Sequence, residues 1–108
     1  MYAIVTDTIV IETTTIDTYV IDTLMRDLVE HDRSPSAFLV YVTLYRQARG
    51  RATTPVVLSH SQIAELTGLS KSAVQSSIRN LLRRRLLKVH KATATATPEY
   101  RVLRPWRR

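Results

Sequence analysis

The sequence predicts an α+β fold in which three helices and a β-hairpin follow a β-rich N-terminal extension. Two of the helices succeed one another directly between Leu58 and Leu87, where residues that begin and end helices recur at short intervals. A third helical pattern precedes this pair, and a segment of alternating apolar and polar residues follows it. We therefore expect an acidic extension over residues 1–32 and one folded domain over residues 33–108.

The first helix of the pair begins at Ser59 and ends at Gly68. The Ser59 hydroxyl can accept a hydrogen bond from the backbone near Gln62, and the Gln62 side chain can return to the Ser59 amide, which makes a capping box. Leu58 and Ile63 flank the cap as a hydrophobic staple. Gly68 suits the helix end because glycine adopts the left-handed conformation without a steric penalty.

The second helix of the pair begins at Ser70, with Leu69 and Val74 as its staple. Its apolar residues recur about once per helical turn, which predicts an amphipathic helix with one buried side. These residues are Val74, Ile78, Leu81 and Leu82. The polar and basic residues between them are therefore expected to face outward.

The spacing of three residues across the pair is typical of a known family. Gly68 follows Ala64 by four residues and Val74 follows Gly68 by six, and the small Ala64 allows the helices to cross closely. This pattern resembles the winged helix-turn-helix family of prokaryotic DNA-binding proteins, which includes transcriptional regulators and plasmid or phage replication initiators. The resemblance covers roughly Ser34 to Trp106, and it implies a three-helix core, a β-hairpin wing and double-stranded DNA as partner.

The opening helix of this region also resembles that family, over Arg33 to Tyr41. Ser34 is its cap and Pro35 occupies the first helical position, where the missing amide hydrogen costs nothing. Its expected buried residues are Ala37, Val40, Tyr41, Leu44 and Ala48, and Gly50 marks its end. One position departs from the family pattern, because Arg85 stands where the third helix usually ends in glycine.

Two stretches of alternating residues after the helices predict the wing. Residues 86–91 and 99–103 are expected to be its strands, and the threonine-rich residues 92–98 its loop. A short strand is also expected over residues 56–58, before the paired helices.

The extension is expected to contain strands over residues 2–12 and 16–21, rich in β-branched side chains, and a helix over residues 22–30. An exposed apolar strand edge invites pairing, so the extension is the candidate contact for a homodimer. The alternative is that it packs on its own domain beside the wing. Asp7, Asp17, Asp22 and Asp27 are interpreted as solvated residues or caps.

Charge is divided unevenly along the chain. Residues 1–45 carry two basic and seven acidic side chains, whereas residues 46–108 carry fourteen basic and two acidic ones. Duplex DNA is a dense line of phosphates, and a protein that neutralises them releases counterions. We therefore expect the cationic half to face DNA and the acidic half to face away from it or to face a partner.

The outward side of the second paired helix has residues suited to the major groove. Gln75 can pair with adenine and Arg79 with guanine through two hydrogen bonds each, whereas Lys71 is a candidate phosphate contact. Ser70 combines capping with phosphate contact at a helix N-terminus. The predicted DNA-binding residues are Ser70, Lys71, Ser72, Gln75, Ser76, Arg79, Arg83, Arg84, Lys91, Thr93 and Thr95. The alternatives are a solvated helix face and, for the wing, a solvent loop.

The C-terminal residues allow two interpretations. Arg104, Arg107 and Arg108 are either a basic arm that extends the DNA contact or a disordered tail, and Trp106 is expected to pack on its own domain.

The composition argues against several other classes of protein. The chain has no cysteine and only two glycines, which leaves no disulfide, no thiolate metal site and no glycine-rich phosphate loop. No apolar run approaches the ~20 residues of a membrane span, no signal segment is recognisable, and the histidines lack metal-ligand spacing. We expect no enzyme activity, cofactor, metal or small-molecule ligand, and a cytoplasmic, nucleoid-associated location.

The leading functional hypothesis is sequence-specific binding of double-stranded DNA by a transcriptional regulator. A replication or partition initiator of a plasmid, phage or mobile element is the alternative within the same class. A winged helix used as a protein–protein interaction module is the alternative from another class, and the arginines of the second paired helix argue against it. A dimer would read two half-sites about one helical turn apart.

Overall fold

The computed structural model describes residues 2–5 and 8–10 by their backbone and residues 11–107 in full. The elements are β1 (Tyr2–Val5), β2 (Thr8–Ile11), an N-terminal helix with two π-helical stretches (Val20–Leu24 and Asp27–His31), α1 (Pro35–Ala48), β3 (Val56–Val57), α2 (His60–Thr67), α3 (Lys71–Arg83), β4 (Leu87–His90) and β5 (Glu99–Val102). This α+β arrangement is compatible with the predicted winged helix-turn-helix.

Helix α1 lies at the centre of the molecule, packed against α2, α3 and β5. Its cap is the predicted one, since the Ser34 hydroxyl accepts from the Ala37 amide. All five residues expected to be buried are buried, and Tyr45 is buried with them. The Tyr41 hydroxyl donates to the Leu103 carbonyl at 2.8 Å, which ties α1 to the end of β5.

The wing is an antiparallel pair, β4 and β5, and β3 pairs with the other edge of β5. Leu87 lies opposite Val102 and Val56 opposite Tyr100. These four side chains are buried and join the helical core from one face of the sheet. Residues 91–98 connect β4 to β5 and are called the wing loop below.

The predicted strand over residues 16–21 is wrong, because the chain is helical over residues 18–31. Val20, Leu24 and Leu28 are buried against the core at intervals of four residues, a spacing that places them on one side of this helix. Local β-propensity favoured a strand here, and tertiary burial overrides it.

The N-terminal helix is wider than an α-helix because its hydrogen bonds span five residues. The Met25 amide donates to the Val20 carbonyl, and the Asp32 amide donates to the Asp27 carbonyl at 3.0 Å. The four-residue row of buried side chains therefore continues from Leu28 to Asp32, whose carboxylate turns toward the domain.

The first predicted strand, over residues 2–12, is interrupted. Two strands, β1 and β2, pair antiparallel there, with Tyr2 opposite Ile11. The side chains of residues 1–10 lie outside the described part of the chain, and so does the predicted dimer contact through them.

The extension packs on its own domain, which was one of the two interpretations of it, although it does so as a helix rather than as a strand. The carboxylate of Asp17 accepts hydrogen bonds from Trp106 Nε1 and Arg107 Nε, each at 2.9 Å. The ring of Trp106 stacks on Tyr19 with centroids 4.6 Å apart. The expectation that Trp106 packs on its own domain is confirmed, and the carboxylate of Asp17 is paired with these side chains rather than solvated.

Candidate nucleic-acid interface

Helix α3 presents one side to the core and the other to solvent. The Ser70 hydroxyl accepts from the Ala73 amide at 3.1 Å and caps the helix as predicted. Val74, Ile78 and Leu81 are buried against α1 and α2. The exposed side chains are those of Lys71, Ser72, Gln75, Ser76, Arg79 and Arg83, all of them predicted site residues. The structure thus brings these six side chains to one surface, called the α3 face below.

The α3 face consists of two adjacent rows. Lys71, Gln75, Arg79 and Arg83 recur every four residues, and Ser72 and Ser76 lie beside them. Arg79 donates to the Ser76 hydroxyl at 3.3 Å, which holds its guanidinium along the helix. Residues four apart on an α-helix lie one above another, so the first row runs the length of α3. No acidic residue occurs in α3.

Local capping sets the turn that orients α3 against α2. Both halves of the predicted capping box are present, at 3.1 Å from the Gln62 amide and 2.8 Å from the Ser59 amide. Gly68 has a φ of 77°, and its amide donates to the Ala64 carbonyl at 2.8 Å. A Cβ on Gly68 would meet open space, so the backbone conformation, rather than crowding, requires glycine there.

Helix α3 ends before Arg85 without the glycine that is usual in the family. Arg85 adopts the left-handed conformation, with a φ of 57°, in the place of the usual glycine. Its amide donates to the Leu82 carbonyl and the Leu86 amide donates to the Leu81 carbonyl. These two bonds form a Schellman motif, and buried Leu81 and Leu86 provide its hydrophobic contact.

Arg84 lies apart from the α3 face because Asp32 holds it. Its Nε donates to Asp32 Oδ2 at 2.6 Å and its Nη2 donates to Oδ1 at 2.7 Å. The pKa of Asp32 is well below its ordinary value, chiefly because of these hydrogen bonds, and the pKa of Arg84 is raised. The guanidinium predicted to contact DNA therefore already has a carboxylate partner, which anchors the N-terminal helix to α3.

Asn80 connects this ion pair to the α3 face. Its Nδ2 donates to Asp32 Oδ2 at 3.1 Å, and its Oδ1 accepts from the guanidinium of Arg83. A buried asparagine in an amphipathic helix is the one feature of the sequence that indicates such a network. Its partner Asp32 lies 48 residues away, so the sequence offered no means of pairing them.

The wing loop carries the remaining predicted site residues. Lys91, Thr93 and Thr95 are exposed. The ammonium group of Lys91 donates to the Ala94 carbonyl at 3.0 Å, across the loop. Lys91 also shares a cleft with Lys71, so the wing loop and the start of α3 border the same surface.

Comparison with known proteins identifies the fold family. A family model described as a helix-turn-helix domain matches residues 34–87, which span α1, α2 and α3. The chain belongs to the helix-turn-helix domain family. Neither a comparison with curated proteins nor one with solved structures found a significant match. Membership of a helix-turn-helix family supports DNA as the partner, and it agrees with the predicted family resemblance.

The helix-turn-helix domain ends in a tail that folds back rather than extending. Arg107 donates to both carboxylate oxygens of Asp17, each at 2.9 Å, and Arg104 lies 3.5 Å from the same carboxylate. Neither a free basic arm nor a disordered tail describes these two residues, whereas Arg108 lies outside the described residues. Within the described part of the chain, no helix is long and apolar enough to cross a membrane.

Proposed function

We propose that this helix-turn-helix protein is a sequence-specific binder of double-stranded DNA that acts as a transcriptional regulator. The observation that carries the proposal is the α3 face, where every exposed charged side chain is basic. A helix of this kind enters the major groove, and its N-terminal residues meet base edges. Cationic charge along the helix attracts the phosphates on either side.

The residues of the α3 face have distinct proposed roles. Gln75 and Arg79 read bases, because an amide matches the edge of adenine and a guanidinium that of guanine. Lys71 contacts phosphate, and Arg83 contacts the backbone at the far end of α3. Ser72 and Ser76 serve either role. The wing loop, with Lys91, Thr93 and Thr95, approaches the flanking backbone.

The acidic half of the chain supports this orientation. Asp17 and Asp32 face their own domain, where arginines hold both carboxylates. Neither carboxylate is paired directly with a side chain of the α3 face. The proposed role is a binding role, without catalysis and without a cofactor, and a homodimer through the extension stays a prediction.

The first test measures the affinity for a labelled random-sequence duplex by fluorescence anisotropy at rising salt. We expect micromolar or tighter binding at low salt, with log affinity falling linearly against log salt. Lys71→Ala should weaken binding to all sequences and reduce the salt slope by about 1. Arg79→Ala should also lose preference between sequences in a site selection, by about 1–3 kcal/mol at one position.

Arg46→Ala is the matched control, because it removes one exposed positive charge from α1 rather than from α3. The slope of log affinity against log salt for Arg46→Ala should stay close to that of the wild type. Failure of the wild type to bind any duplex at low salt would refute DNA binding. It would favour the protein-interaction alternative.

A further inference from the structure

A cleft of about 240 Å³ lies where the starts of α2 and α3 meet the wing loop. Three basic side chains line it, each from a different segment: His60 from α2, Lys71 from α3 and Lys91 from the wing loop. Hydroxyl groups complete the polar lining, from Ser59, Ser61, Thr95 and Thr97. None of the described residues that line the cleft is acidic.

The surroundings of His60 in this cleft disfavour its charged form. Burial lowers its pKa below the ordinary value, and the positive charges of Lys71 and Lys91 lower it further. The cleft therefore disfavours the imidazolium form of His60 in the free protein. Two ammonium groups and an imidazole therefore surround a space with no described carboxylate, and an anion is the ligand that would complement it.

We propose that this cleft binds one phosphodiester group of the DNA backbone and that His60 takes up a proton from solvent as the phosphate enters. The proposal rests on the proposed function and deepens it, because it adds His60 to Lys71 and Lys91 as a phosphate ligand. Hydroxyls and cations from three segments match the tetrahedral oxygens of a phosphate. Protonated His60 donates an N–H to one of them in a charge-assisted hydrogen bond.

Proton uptake gives the affinity a definite pH dependence. The pKa of His60 is low in the free protein and higher in the complex, because the negative phosphate favours the imidazolium. Between these two pKa values binding takes up a proton, so the affinity rises as pH falls and levels off below the pKa of the free protein. An adjacent opposite charge shifts a pKa by about 1–3 units, and each unit can raise the affinity by at most about tenfold. We therefore expect a gain of about threefold or more between pH 8 and pH 6.

The test follows duplex binding by anisotropy from pH 8 to pH 5.5 at constant ionic strength. His60→Gln retains hydrogen bonding but cannot become charged, so its affinity for the duplex should change little between pH 8 and pH 6. His90→Gln is the matched control: His90 is exposed on β4 and does not line the cleft. It should show the wild-type profile.

Proton NMR of the His60 ring distinguishes DNA from free phosphate as the ligand. We expect the duplex to raise the His60 pKa by a unit or more, and inorganic phosphate at matched ionic strength to raise it far less. An equal rise with both would mean a free-anion site and would overturn the proposal. The proposal would also be overturned if the affinity of the wild type for the duplex did not change with pH, or if His60→Gln kept the pH dependence of the wild type. Either result would leave the proposed DNA binding intact. Absence of DNA binding at every pH would overturn this proposal and the proposed function together.

Discussion

Asp32 shows how one residue can join distant parts of a small domain. Its side chain is 9% exposed. Its oxygens accept from Asn80 of α3 and from Arg84 directly after α3, and its Oδ1 lies 3.0 Å from His31 Nδ1. A carboxylate this far from water is stable only when charged donors satisfy it. The network fixes the end of the N-terminal helix against the end of α3, and through Asn80 it reaches Arg83 on the α3 face.

Replacing Asp32 with asparagine should destabilise the fold at pH 7 by about 2 kcal/mol, because it leaves the Arg84 guanidinium without its charged partner. The lowered pKa of Asp32 means that its stabilisation is present above the unfolded-state pKa, near 4, and is lost as pH falls below it. The difference in the free energy of unfolding between wild type and Asp32→Asn should therefore be smaller at pH 3 than at pH 7.

Urea denaturation at the two pH values measures this difference. Asp22→Asn is the control, because Asp22 is an exposed carboxylate on the same helix. Equal stability of Asp32→Asn and wild type at pH 7 would contradict the assigned role.

At the scale of elements, three helices are followed by an arginine in a conformation that glycine usually adopts, namely Arg33, Arg49 and Arg85. Arg49 after α1 and Arg85 after α3 both have positive φ, and both take part in Schellman hydrogen bonds. The left-handed conformation costs a residue with a Cβ about 1–2 kcal/mol. The tertiary fold keeps it because β4 must begin within a few residues of α3 for Leu87 to reach the core.

Glycine at position 85 should accordingly stabilise the domain. We expect the free energy of unfolding of Arg85→Gly to be about 0.5–1 kcal/mol higher than that of Arg85→Ala. Glycine removes the strain that alanine keeps, but the greater entropy of its unfolded chain offsets part of the gain. Thermal unfolding of both variants measures the difference, and the alanine variant controls for the lost charge. An alanine variant as stable as the glycine one would show that no strain resides there.

At the scale of the whole molecule, the acidic half of the chain is bound to the cationic half. Asp17 accepts from Trp106 and Arg107, 89 and 90 residues further along the chain. Asp32 binds Arg84, 52 residues further along. The extension is therefore attached to the domain at two points, Asp17 and Asp32. The stacked rings of Tyr19 and Trp106 add an aromatic contact between the extension and the tail.

Loss of the Asp17 carboxylate should release the tail. Trp106 is the only tryptophan of the chain, so its fluorescence reports on this contact directly. We expect Asp17→Asn to shift the emission of Trp106 to longer wavelength and to lower stability by about 1 kcal/mol, since a charged acceptor is lost. Glu12→Gln, at an exposed ion pair with Arg46, is the control. An unchanged emission spectrum in Asp17→Asn would contradict the proposed role of Asp17 in holding the tail.

Much of the helix-turn-helix could be predicted because its signals are local. The caps Ser34, Ser59 and Ser70 act on amides three residues away, and the turn conformation of Gly68 depends on that residue alone. Burial of one side of α3 follows from periodicity, so the six residues of its opposite face could be named from the sequence. Their contacts with DNA remain predictions.

What the sequence could not reveal depends on segments that lie far apart in the chain. The 16–21 segment has the composition of a strand, yet residues 18–21 are helical because Val20 meets the core. In the sequence nothing distinguishes Arg84 from its neighbours Arg83 and Arg85, because its partner Asp32 is brought close only by the fold. His60 gains its environment only when α2, α3 and the wing loop meet. Capping, turn chemistry and helical faces were thus determined by the sequence itself, through interactions within a few residues, whereas the tertiary structure alone decided which charges are paired and which remain exposed on the surface.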